Sequence, residues 1–90
     1  MLTEAERERG IRLGAILRDA RGERPATEVA AASGVPVDTL RKIESGRIPT
    51  PAFFTVVALA RELDLPLERL VDPKPAVQDG RDLTGDRRTA

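Results

Sequence analysis

Glycines and prolines punctuate this chain so often that no long regular element fits between residues 22 and 66. Gly22, Pro25, Gly34, Pro36, Gly46, Pro49, Pro51 and Pro66 each end a helix, start one or force a loop, so what folds between them is short. Within those pieces the apolar residues recur at helical spacing. Leu13, Ile16, Leu17 and Ala20 line one face of a first helix, which Gly22 and Pro25 terminate. A second runs from Pro25 through Val29 and Ala30 to Ser33, and Gly34 stops it. The stretch "GVPVDTLRKIESG", residues 34–46, holds a third, closed by Gly46. "RIPTP" cannot be helical, because its two prolines lack donors. Ala52 to Leu63 reads as the central helix, through Phe53, Val56, Val57, Leu59, Ala60 and Leu63. Asp64 takes the turn after it, and Pro66 to Val71 forms a last short helix through Leu67, Leu70 and Val71.

The core these helices share must be aliphatic. Phe53 and Phe54 are the only aromatic residues, so Leu, Ile, Val and Ala carry the packing, which suits helix on helix better than a sheet. Phe53 is expected inside the core. Phe54 points elsewhere, either lining a dimer contact or flanking the core under the 46–51 loop. Ninety residues make one small domain. The expected organisation is an N-terminal extension over 1–10, a folded domain over 11–71 and a disordered tail over 72–90. The extension is expected to fray, although Thr3 and Glu6 have capping-box spacing. In the tail, Arg81, Arg87 and Arg88 are offset by Asp79, Asp82 and Asp86.

Absences narrow the function. With no cysteine and no histidine, disulfides, zinc sites and histidine catalysis are excluded, and no metal or cofactor is expected. No glycine-rich phosphate loop is present either, so an enzyme is the most distant reading. No apolar run reaches the ~20 residues of a membrane span, and Met1 to Gly10 is too charged for a signal peptide; a cytoplasmic protein without a membrane partner is expected. The 15 basic and 15 acidic residues cancel. Affinity for a polyanion must therefore come from where charges point.

The third helix has a direction. At 100° per residue, Leu40, Ile43 and Glu44 fall on one side, with Val37 at its edge. Asp38, Lys42 and Ser45 fall on the other, and Arg41 flanks them. Glu44 faces inward and is expected to pair with Arg18 or Arg21. Five short helices with a tight glycine turn between the second and third point to a helix-turn-helix domain.

The stretch "EVAAASGVPVDTLRKIESGRIPTPAFFTVVALARELDLPLERL" resembles the Cro/phage-repressor (XRE) helix-turn-helix family over roughly residues 11–71. Its anchors are Val29-Ala30, Gly34-Val35, Leu40, Ile43-Glu44 with Gly46, Pro51, Leu59-Ala60 and Leu67 through Leu70. The resemblance implies an all-α, compact five-helix phage-repressor-like domain. It places base-reading positions at Val37, Asp38, Arg41 and Lys42, and phosphate contacts near Ala26 and Thr27 and around Ser45, Arg47 and Thr50. It implies sequence-specific binding of double-stranded DNA, a repressor-like role in transcription, and a homodimer on a two-fold operator. Four departures stand out: Ala26 where a glutamine is common, Val37 where polar readers are common, Pro25 and Pro36 in place of Ser/Thr caps, and Arg24 where an apolar residue is usual.

Several residues keep two readings. Asp38 either accepts from a cytosine amine or serves as a first-turn acid favoured by the helix dipole. Val37 either touches a thymine methyl or packs. Arg47 either clamps a phosphate or is an ordinary loop arginine. Lys42, then Arg41, are the first candidates for a base or phosphate contact. The alternative function is a protein-binding module on the same fold, antitoxin-like or an adaptor, with a toxin or regulator as partner.

Overall fold

The computed structural model describes residues 1–71, which form five helices and, among these residues, no strand. They are α1 (Glu4–Arg21), α2 (Ala26–Ser33), α3 (Val37–Glu44), α4 (Phe53–Glu62) and α5 (Glu68–Val71). The all-α expectation holds. The tail beyond Val71, with Arg81, Arg87 and Arg88, lies outside the described residues.

The first correction is at the start of the chain. Helix α1 begins at Glu4 rather than near Ile11, so the segment expected to fray is helical. Its cause is the capping box: the Glu6 amide donates to Thr3 Oγ1 at 3.0 Å, and the Thr3 amide donates to Glu6 Oε1 at 2.9 Å. Two donors that would otherwise face water alone are thus satisfied reciprocally.

The buried line of α1 is also unlike the expected one. It runs Gly10, Gly14, Leu17, while Leu13 and Ile16 are half-buried and Ala20 is exposed. The glycines are there because backbone passes backbone. A Cβ on Gly14 would sit 2.8 Å from the Glu44 carbonyl oxygen and closer still to that of Ile43. One on Gly10 would lie 2.6 Å from the Pro49 carbonyl oxygen and closer still to its Cα. Helix α1 therefore rests directly on the C-terminal end of α3 and on the loop that follows it.

Leu17, Val29, Leu40, Ile43 and Leu59 are completely buried, with Ala30, Val35, Ala60 and Leu70 filling the space between them. One aliphatic core thus joins α1 to α5. Each fully buried leucine or isoleucine contributes about 1.5–3 kcal/mol of transfer free energy. Ala30, only 4% exposed, is part of that core, and α2 packs against both α3 and α4.

Phe53 is not in that core. It is 64% exposed, and Phe54 is 79% exposed. Phe53 opens α4, before the stripe of Val56, Leu59, Ala60 and Leu63 turns onto the bundle, so its ring overhangs the packing layer. The two rings meet edge to face with centroids 5.1 Å apart. Phe53 lines an open apolar groove of about 350 Å³ with Leu13, Pro51, Val56 and Leu67. The last helix is likewise shorter than expected: α5 starts at Glu68, only Leu70 of its apolar residues is buried, and Leu67 and Val71 border the groove. Asp64 does take the post-helix turn, at φ 57°.

Candidate nucleic-acid interface

The α2–α3 connection is built locally. Gly34 adopts a left-handed conformation at φ 78° and ψ 14°, and its amide donates to the Ala30 carbonyl at 2.9 Å. The Val35 amide donates to the same carbonyl at 3.1 Å, and its side chain packs into the core. Pro36 then fixes an extended step, and α3 begins at Val37. Leu40 and Ile43, both fully buried, dock α3 to the bundle. At the other end Gly46 turns at φ 81°, and the Lys42 carbonyl accepts the amides of Arg47 and Ile48 at 2.9 and 3.2 Å. Both ends of this eight-residue helix are thus pinned.

A bidentate ion pair fixes its orientation. Arg21 Nε donates to Glu44 Oε2 at 2.7 Å and Arg21 Nη2 to Glu44 Oε1 at 2.8 Å, on a Glu44 side chain only 7% exposed. Glu44 does face inward, and Arg21 rather than Arg18 is its partner. The hydrogen bond to Glu44 raises the Arg21 pKa above its ordinary value, against a smaller opposing effect of burial. Because the shift is upward, the arginine keeps its proton, and its side of the pair, through arginine's usual range and gives it up only in strong alkali. Replacing Glu44 by Gln keeps the shape but removes the charge and turns one acceptor toward Arg21 into a donor. The expected loss is about 2 kcal/mol. In thermal melts followed by circular dichroism this is a drop of about 10 °C; an unchanged melting temperature would show that the pair does not hold α3.

Arg21 Nη1 also donates to the Arg24 carbonyl at 2.8 Å, and Arg24 Nη2 reaches Glu62 Oε2 at 2.9 Å and Glu28 Oε2 at 3.5 Å. The Arg24 pKa is raised, chiefly by the hydrogen bond to Glu62. At the position where the resemblance places an apolar residue, a charged one ties the turn before α2 to the end of α4. Sequence reading missed it, since Arg24 and Glu62 are far apart in the chain.

The face of α3 opposite Leu40 and Ile43 stands clear of the bundle. Asp38, Arg41, Ser45, Arg47, Thr50 and Thr27 are exposed, and Lys42 and Val37 are half-buried. Val37 packs partly against the core, which favours its packing role. Lys42 Nζ pairs with Asp38 Oδ2 at 3.1 Å, one helical turn away. Among the described residues Arg41 and Arg47 form no ion pair. Ser45 Oγ donates to the Lys42 carbonyl at 3.2 Å, so its hydroxyl is engaged locally. Unlike α1, helices α2, α3 and α4 have no side-chain cap, and Pro25 and Pro36 do occupy the N-cap positions. Their first backbone N–H groups have no cap acceptor.

Among the described residues no group of three His, Cys, Asp or Glu side chains could hold a metal ion, and no helix is long and apolar enough to cross a membrane. What the geometry defines is a helix-turn-helix unit, α2 and α3, held in a five-helix bundle. Comparison with known proteins agrees: the family model described as "Helix-turn-helix domain" matches residues 12–72, and the chain belongs to that family. No curated protein matches the chain.

Proposed function

We propose that this protein is a sequence-specific double-stranded DNA-binding regulator of transcription, repressor-like and of the Cro/phage-repressor type, which reads the major groove with α3. The reading rests chiefly on one observation. Leu40 and Ile43 are fully buried while Asp38, Arg41 and Lys42 on the same helix face water. A cylinder 10–12 Å across fits a groove about 12 Å wide. Arg47 and Thr50, in the loop after α3, and Thr27, at the start of α2, supply phosphate contacts, joined by the uncapped N–H groups of α2 and α4.

A helix of eight residues is only about 12 Å long and meets three or four base pairs. A homodimer on a two-fold operator, with half-sites about 34 Å apart, doubles that footprint. The protein works in the cytoplasm, as a binding protein rather than an enzyme. An antitoxin-like or adaptor role is the second reading, favoured by the net charge of zero.

A gel-shift salt titration separates the two. With Arg47 as the cation on phosphate, log K should fall against log[salt] with a slope of about −1 per half-site from that contact alone, and more steeply for each further cation that meets a phosphate. A slope near zero at every sequence tried would remove the DNA reading and leave the protein-binding one.

A further inference from the structure

We propose that Asp38 and Lys42 act as one reading unit whose target is a single C·G base pair, the carboxylate accepting from the cytosine N4 amine while the ammonium donates to the guanine O6 oxygen. This rests on the major-groove reading above and adds to it the base pair that α3 selects. The observation behind it is a spacing. Lys42 Nζ lies 3.1 Å from Asp38 Oδ2, so α3 holds a donor and an acceptor side by side. In a C·G pair the N4 donor and the O6 acceptor are joined by a Watson–Crick hydrogen bond, about 2.9 Å long. Acceptor then meets donor at both positions with almost no change in spacing.

An A·T pair also sets a donor, N6, beside an acceptor, O4, so spacing alone does not choose. The flanking groups do. In C·G the guanine N7 next to O6 offers the ammonium a second acceptor, and the N4 amine is bordered by a C–H. In A·T the N6 amine is bordered by N7, an acceptor that repels a carboxylate, and O4 is bordered by the thymine methyl, which strips water from an ammonium without replacing it. The unit is also accessible and already formed. The Asp38 side chain is 78% exposed and that of Lys42 is 41% exposed. Because the pair exists in the free protein, less side-chain freedom is lost on binding.

The test selects bound duplexes from a random pool with the full chain and its D38A and D38N variants, whose melting curves are recorded alongside. The wild type should return a fixed C·G pair at one position of each half-site. D38A should flatten that position, the preference for C·G falling roughly 5- to 150-fold. D38N should move the preference toward adenine, whose N6/N7 edge an asparagine grips with two bonds. Asparagine is isosteric with aspartate, so this variant reports even where alanine loosens the helix. If D38A instead binds every sequence more tightly by a common factor and selects the same site, Asp38 only neutralises Lys42; the inference falls and the DNA reading stands. If the wild type binds no duplex at low salt, both fall.

Discussion

Replacing Arg41 and Lys42 together by alanine should abolish sequence-specific DNA binding while moving the melting temperature by no more than a few degrees. The two halves of that result come from different places. Arg41 is exposed, and Lys42 makes only a surface ion pair with Asp38. Such pairs contribute about 0.5 kcal/mol or less to folding. On DNA each cation is worth about 1–3 kcal/mol as a base contact, so the double variant loses about 2–6 kcal/mol, roughly 30-fold to twenty-thousand-fold in affinity. Asp38, no longer paired, adds a repulsion against the phosphates. The salt slope, which is carried by phosphate contacts such as that of Arg47, should change much less than the affinity. Equal loss of fold and binding would mean that the exposed face of α3 has been misassigned.

Gly14→Ala should be strongly destabilising. In an ordinary exposed helix this change is stabilising by about 1 kcal/mol, because alanine has less freedom to lose on folding. Here the added methyl meets the carbonyl oxygens of Ile43 and Glu44, which belong to the backbone of α3 and cannot rotate away. Relief requires α1 and α3 to separate, which disturbs Leu17 and Ile43 in the core and the Arg21–Glu44 pair beside it. The cost is about 3 kcal/mol or more. A small domain loses about 15 °C in melting temperature for that. Gly34→Ala makes an informative comparison: nothing lies within 4 Å of its added Cβ, but the residue is left-handed at φ 78° and ψ 14°. Its cost is one of conformation only, about 1–2 kcal/mol. A Gly14→Ala protein that melts no lower than Gly34→Ala would show that the two helices do not pass so closely.

The reasons for success and failure in reading the sequence are physical. The α2–α3 unit was legible because its signals are local: Gly34 and Gly46 do turn left-handed at the two ends, and Leu40 and Ile43 are the buried pair. Glu44 was legible because a carboxylate on the buried side of a helix needs a cation. The Gly10–Gly14 contact was not, since a glycine gives no apolar periodicity and inside a helix reads as a defect. Phe53 misled for the opposite reason. Hydrophobicity says that a side chain gains by burial, but not whether the first turn of its helix overhangs the bundle. Asp38 and Lys42 stand one helical turn apart, a spacing that the sequence already carries; the fold adds that their charged groups meet at 3.1 Å. Arg24 finding Glu62 across the bundle is a tertiary fact with no short-range trace.

The central claim is that α3 lies in the major groove, and methylation interference on a selected duplex tests it most directly. Dimethyl sulfate marks guanine N7 in the major groove and adenine N3 in the minor groove, so one experiment reports on both. The account predicts that N7 methylation within each half-site prevents binding, whereas N3 methylation there does not. Interference confined to adenine N3, or none at either atom, would contradict it.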